Sequence, residues 1–273
     1  MSHGESRLVL DTDGCARLRD DVAGGLEEVE RLTRRRFLGK GAAALGGLAA
    51  GSLLSMSKEA FADTVKTGLF IFPRLQFAVY DESPDMWNCG AIGDVHLKRK
   101  LQELTNINVS PDPKVVRLRD FDDMVRNPFV FMTSEGYFRL AEREEKNLRE
   151  FLERGGFVLA DDCVLWTKYD RFFRCYRDLV NKLFPDNPMR EIPLDHEIFH
   201  IYYHFDNGCP HMQGIRAGKS NAYALFERGT GRIMTFVTPG DIHCGWMCRY
   251  WPQPKNMEAI KMGINVIIYF LSH

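Results

Sequence analysis

From residue 68 onward the chain alternates short apolar runs with charged, amphipathic stretches. Residues 68–72 and 77–80 are apolar and predict a first strand, with a break at Pro73-Arg74. Residues 94–104 place Val95, Leu97, Leu101 and Leu104 near helical spacing, and Pro111 and Pro113 close that unit. A short strand is expected over 115–118, an acidic turn at Asp120 to Asp123, and a stronger strand over 129–133. Residues 140–154 predict the clearest helix, with Leu148, Phe151 and Leu152 on one side and Gly155-Gly156 as its stop. Residues 157–160 are apolar without alternation, the mark of a strand covered on both faces. A second helix is expected over 169–184, ended by Pro185. A β-hairpin is expected from 222–226 and 233–237 around Gly229-Thr230-Gly231, and an apolar helix over 256–271. Strands alternating with helices predict an α/β fold, a mostly parallel sheet covered on both faces. Short loops predict one domain over residues 63–273.

The first 62 residues carry a different pattern. Residues 1–32 are polar and of mixed charge, and Thr33-Arg34-Arg35-Arg36-Phe37-Leu38-Gly39-Lys40 comes next. This run resembles the twin-arginine export motif. A mildly apolar, Gly/Ala-rich stretch occupies 41–56, and the region closes on the small-x-small pattern Ala60-Phe61-Ala62. Gly41, Gly46, Gly47 and Gly51 each disfavour a stable helix by about 1 kcal/mol relative to Ala. The stretch is also shorter than the ~20 residues of a permanent span. The expectation is a cleaved signal and a mature chain of about 210 residues in the periplasm or another extracytoplasmic space. An uncleaved signal acting as a tether is the alternative. The twin-arginine translocase would then be a partner during export. Because that route carries folded chains, it raises the expectation of a bound metal or cofactor.

Formal charge is −1, which gives no electrostatic reason to expect nucleic acid or an anionic membrane surface. Aromatic residues make up 12% of the chain, enough to supply a sizeable core. No apolar run after the signal is long enough for a transmembrane span.

Several residues could carry chemistry. Asp161 and Asp162 fall at the expected carboxyl end of a strand, where open α/β sheets bind ligands; adjacent carboxylates in an extended chain point apart and do not form a close dyad. His196, His200 and His204 are spaced by four. On a helix two of them could share a metal ion, but the surrounding Ile, Phe and Tyr residues favour extended structure, where histidines four apart are ~13 Å apart. Six of the seven cysteines lie after residue 62, so disulfides are permitted, although folding before export argues that the fold does not require them. Cys209, His211, His243, Cys244 and Cys248 are ligand types for a divalent metal, without paired Cys-x-x-Cys spacing. Cys244 beside His243 could be an activated thiol, or Trp246 and Asp241 could make this a packed loop. Arg171, Arg174 and Arg177 recur every three residues on the expected second helix and could face an anionic partner.

A longer pattern runs through these residues. It starts with Phe70-Ile71-Phe72-Pro73-Arg74-Leu75, Trp87 and Phe129-Val130-Phe131-Met132-Thr133. It continues through residues 148–163, ending Gly155-Gly156-Phe157-Val158-Leu159-Ala160-Asp161-Asp162-Cys163. Pro193-Leu194-Asp195-His196 with Phe199-His200, then Cys244-Gly245-Trp246, then Gly263-Ile264-Asn265-Val266 complete it. Together these resemble the family called domain of unknown function 4159, over nearly all of residues 68–271. The resemblance implies a fold similar to class I glutamine amidotransferases, a flavodoxin-like three-layer sandwich. It assigns no activity, and it implies export or membrane attachment and, in some members, neighbours with ATPase and von Willebrand type A domains. Glu135 before Gly136 and Glu197 after His196 depart from the family's Gly-His and His-Pro. Cys163 lacks the flanking glycines of an amidotransferase nucleophile, and no His-x-Glu pair comes after it. Three expectations result. The first is a binding or accessory domain of the cell envelope with an envelope protein partner, using Arg74, Trp87, Glu135, Asp241 and Trp246. The second is a hydrolase-type or metal-dependent enzyme using Asp161, Asp162, His196, His200 and Cys244. The third is a metal or redox protein with His196, His200, Cys209, His211, His243, Cys244 and Cys248 as ligand candidates.

Overall fold

A computed structural model describes residues 68–78, 86–164, 170–248 and 253–273. The expected signal at 1–62, residues 79 and 80 of the first expected strand, and Tyr169 at the start of the second expected helix lie outside the described residues. Among the described residues seven strands form one sheet: β1 Pro73–Gln76, β2 Lys114–Arg117, β3 Phe129–Ser134, β4 Phe157–Asp162, β5 Arg190–Glu191, β6 Tyr223–Phe226 and β7 Ile233–Thr238. Their order is β2-β1-β3-β4-β7-β6-β5. The first five in that order run parallel, and β6 and β5 add antiparallel at one edge. The helices are α1 Ile92–Leu104, α2 Phe121–Val125, α3 Glu142–Glu153, α4 Arg171–Leu183, α5 Ile242–Trp246 and α6 Lys255–Ser272, with 3-10 turns at Met86–Asn88 and Glu197–Phe199.

Register divides the side chains between two faces, because successive residues of a strand alternate. Phe131 pairs with Arg74 and with Leu159, and Leu159 with Phe236; Thr133 pairs with Asp161, and Asp161 with Thr238. One face therefore carries Phe129, Phe131, Phe157, Leu159 and Asp161, and α1, α5 and α6 gather over it. Phe129 stacks on Phe157 at 5.8 Å, Phe270 of α6 lies 5.3 Å from Phe129, and Phe131 lies 5.2 Å from Trp246. The other face carries Val130, Met132, Val158 and Ala160, packed with Leu148, Phe151 and Leu152 of α3 and Phe172, Tyr176 and Val180 of α4. Both central strands are buried along their whole length, which is why they read as unbroken apolar runs.

Three local expectations differ from the structure. The expected break at Pro73-Arg74 is strand β1 itself; Pro73 takes the first position, where proline is tolerated, and residues 71 and 72 are not in a strand. Asp120 does not turn the chain but caps α2, its carboxylate accepting the Asp123 amide at 3.2 Å. The segment after β7, read as a turn or packed loop, contains helix α5.

Candidate functional site

Parallel strands bring the carboxyl ends of β1, β3, β4 and β7 to one edge, and β4 supplies its central pair of carboxylates. These last two residues of the strand point to opposite faces. On one face Asp161 accepts the amides of Ile242 (3.2 Å) and His243 (2.8 Å), the first two residues of α5. On the other, Asp162 accepts the amide of Phe173 (2.9 Å) in the first turn of α4. The residues preceding these two helices, Asp241 and Asp170, have φ of 55° and 52°, and neither caps its own helix with its side chain. The carboxylates of β4 do so instead, tying one helix to each face of the sheet. Burial pushes Asp162 up to about 8; burial and then the Asp241 charge raise Asp161 well above the usual carboxylate range.

Just beyond β4, Cys163 occupies the middle of a thiol cluster. Its Sγ lies 3.7 Å from Cys244 Sγ in α5 and 3.9 Å from Glu135 Oε1, in the connection after β3. Ligand atoms of Cys163, Cys244 and Asp241 lie within 4.8 Å of one another, and so do those of Cys89, Cys163 and His243. Cys163 belongs to both triads. Hydrogen bonds from Cys244 and Cys89, with burial, raise its thiol well above the ordinary value. At Cys244 the Cys163 contact favours the thiolate, but burial and the Asp241 charge carry it up to about 12. Burial also pushes Asp241 up to about 7 and raises Glu135. Burial and the Arg74 charge keep His243 neutral, so it supplies no imidazolium to activate a thiol.

Arg74 holds the neighbouring loop in place. Only 3% exposed, it grips Asp94 of α1 with two bonds, Nε to Oδ2 (2.8 Å) and Nη2 to Oδ1 (2.6 Å). Its Nη1 donates to the Trp87 (3.4 Å) and Cys89 (2.5 Å) carbonyls, and its Nη2 lies 3.1 Å from His243 Nε2. Nε2 also lies 3.0 Å from the Gly90 carbonyl; it can accept from the guanidinium or donate to that carbonyl, and the tautomer decides which. Arg74 is thus a positioning residue for the loop that carries Cys89. Trp87 and Trp246 are packing residues. The first belongs to the core around α3 and α4, while Trp246 is fully buried with Nε1 donating to the Ala259 carbonyl at 2.9 Å.

Buried polar atoms without a hydrogen-bond partner concentrate at this edge: Thr133 Oγ1, Ser134 Oγ, Asp162 Oδ1, Asp241 Oδ1 and His243 Nδ1. Native interiors leave few such atoms, and a cluster of them calls for a cause.

The structure does not bring every expected residue here. His196 packs against Phe226 and Tyr269, and the Tyr269 hydroxyl accepts the amide of Ile233 at the amino end of β7. That is the opposite edge of the sheet, roughly 17 Å from the carboxyl end at ~3.4 Å per residue. His200 Nε2 lies 2.8 Å from the Leu194 carbonyl, and its Nδ1 lies 3.4 Å from His204 Nδ1. His196 and His200 flank the 3-10 turn rather than sharing a helix or strand face, so their spacing of four builds no common site. Cys209 is buried, its amide donating to the Ser220 carbonyl; burial raises its thiol. His211 has its ring held neutral by burial and by Arg216 and Lys255, and Cys248 is exposed. None of the three joins a ligand triad among the described residues. Cys89 and Cys163 are not among the ligands expected from sequence; only Cys163, directly after Asp161-Asp162 at a strand end, carries a signal there.

No curated protein matches the chain. The model of the family described as Domain of unknown function (DUF4159) matches residues 74–271. That span runs from Arg74 through every residue of the edge just described, and the chain belongs to this family.

Proposed function

We propose that the chain is an exported, amidotransferase-like binding domain of the cell envelope that holds a small polar ligand at the carboxyl edge of its sheet. The observation that carries this reading is the group of partnerless buried polar atoms on Thr133, Asp241 and His243, on the α5 side of the edge. Each such atom costs about 1–3 kcal/mol if left unpaired, so a bound group that donates and accepts there recovers a large part of that energy. The strand order supports a flavodoxin-like architecture, because the parallel run β2-β1-β3-β4 with one more parallel strand beside it has the flavodoxin pattern. In such sheets ligands bind at the carboxyl ends beside the order reversal, here between β1 and β3. The Arg34-Arg35 pair, with the apolar stretch and small residues after it, supports export.

Binding fits better than nucleophilic hydrolysis. Of the histidines that would have served as bases, His196 lies near the amino edge and His200 is bonded to the Leu194 carbonyl, and the residue beside Cys244, His243, is engaged by Arg74. Two measurements test the proposal. Replacing Arg34 and Arg35 together by Lys should strand the unprocessed chain in the cytoplasm; unchanged export refutes the address. Non-denaturing mass spectrometry of the exported chain should show a bound species that is lost on Thr133→Val with Asp241→Asn. A folded chain carrying nothing refutes the binding reading.

A further inference from the structure

We propose that Cys163, Cys244 and Asp241 together bind one thiophilic divalent cation of the Zn²⁺ type, with a fourth coordination position left for water or ligand. This deepens the binding reading above and rests on it. Two thiolates on a tetrahedral zinc, each about 2.3 Å from the metal, lie about 3.8 Å apart. Cys163 Sγ and Cys244 Sγ lie 3.7 Å apart, far from the ~2.05 Å of a disulfide. A carboxylate oxygen of Asp241 completes a triad with all members within 4.8 Å and all buried. Asp241 is oriented as a ligating carboxylate usually is: Gln213 Nε2 donates to Oδ2 at 3.1 Å, the Cys244 thiol and the Val164 and Cys244 amides lie close enough to favour its charge, and Oδ1 is buried without a well-formed hydrogen bond. Two thiolates select a soft or borderline ion over Mg²⁺ or Ca²⁺. Binding releases the two thiol protons, and the carboxyl proton wherever Asp241 carries one, to solvent, leaving the metal held by two thiolates and a carboxylate.

The second triad, Cys89 with Cys163 and His243, is the weaker choice. The Arg74 guanidinium lies 3.1 Å from His243 Nε2 and repels a cation there. Two parallel-strand connections converge on the first triad. Cys163 leaves β4, while Asp241 sits at the left-handed turn between β7 and α5 and Cys244 lies in α5 itself.

The test uses the full chain, exported, purified under reducing conditions without chelator, and analysed for metal by inductively coupled plasma mass spectrometry. Close to one equivalent of Zn²⁺ per chain is expected, and exchange for Co²⁺ should give a thiolate-to-cobalt charge-transfer absorption. Cys163→Ser and Cys244→Ser should each abolish that absorption and weaken Zn²⁺ binding at least about tenfold, by analogy with the loss of a metal-site partner. Asp241→Asn should weaken binding while keeping the absorption, and Cys248→Ser, at an exposed position, should change neither. If a cysteine variant fails to fold, titration of the unaltered chain decides: the thiolate-to-cobalt absorption should saturate at one equivalent of Co²⁺ and vanish when Zn²⁺ is then added. A chain that takes up neither ion overturns the inference. So does a charge-transfer absorption that survives both cysteine variants, or recovery of Cys163 and Cys244 as a disulfide from the native compartment. An organic species bound without metal sinks the metal site and leaves the binding reading standing; a folded chain with neither sinks both.

Discussion

Replacing Asn265 by Leu should destabilise the protein by several kcal/mol, because this one side chain satisfies backbone groups of a 3-10 turn and the irregular chain after it. Asn265 is fully buried on an otherwise apolar stretch of α6. Its Oδ1 accepts the Tyr203 amide (2.9 Å), and its Nδ2 donates to the Ile198 (2.9 Å) and Tyr203 (2.8 Å) carbonyls. Leucine has similar bulk but can make none of these bonds. Each backbone group deprived of a buried partner costs ~1–3 kcal/mol, so three give ~3–9 kcal/mol before relaxation. The 198–203 segment joins loops at both ends and can relax around the freed groups, which places the expected loss near the lower end, about 3–5 kcal/mol. Against a typical total of ~5–15 kcal/mol that is a large fraction. For a chain of this size it corresponds to a fall in Tm of roughly 6–20 °C. The assay is urea unfolding followed by circular dichroism. The midpoint should drop with an unchanged slope, and amide exchange at Tyr203 should rise sharply while that of β3 and β4 follows only the global change. An Asn265→Leu chain within about 1 kcal/mol of the parent would refute the argument, since it would mean the segment does not depend on these bonds.

Other outcomes rest on single contacts. Tyr176→Phe removes a buried hydroxyl 2.6 Å from Thr235 Oγ1, which itself donates to the Val158 carbonyl, and should cost about 1 kcal/mol in urea unfolding. Gly208→Ala should reduce the yield of folded protein, because φ is 74° there and an added Cβ would collide with the Ser220 backbone; solubility and thermal unfolding check it. His196, half-buried, has its pKa lowered from 6.5, first by burial and then by the His273 charge, against the opposing pull of Glu197 and Asp195. The neutral ring is therefore the one the fold favours. Its contribution is complete above about pH 6.5 and is lost as pH falls through the lower folded value. A His196→Gln chain should show a flatter fall in Tm between pH 7 and 5 than the parent, and an equal slope would refute this assignment.

The elements legible in the sequence are those whose cause is local. Residues 129–133 and 157–160 read as strands because both their faces are covered, and β3 and β4 extend them by one and two residues. The helix expected over 140–154 is α3, Glu142–Glu153, its apolar side formed by Leu148, Phe151 and Leu152. Strand β1 is not legible because its partners are not local. Pro73 and Arg74 look like a break, and only pairing with β2 and β3, from Lys114 and Phe131, makes an extended strand of them. Helix α5 escapes a sequence reading for a similar reason. It contains Gly245 and begins after a left-handed Asp241, and the carboxylate that caps it, Asp161, lies some eighty residues earlier.

The histidine spacing shows most clearly what a periodicity argument assumes. Counting by four from His196 to His204 places three imidazoles together only if the backbone between them is regular. Here it is a single 3-10 turn and then irregular chain, and it can be so because Asn265, from another element, takes over the hydrogen bonds that a helix or sheet would have made. The thiol cluster is the converse case. Cys89, Cys163 and Cys244 have no spacing that relates them, yet each lies in the connection after a parallel strand, behind β1, β4 and β7. Successive parallel strands must return through a crossover, so all of their carboxyl ends reach the same edge, and residues placed one to a loop meet whatever their separation along the chain. For this fold the informative question about a cysteine, histidine or carboxylate is therefore which strand end it comes after, and Asp161, judged that way from the sequence, is the residue on which the edge is built.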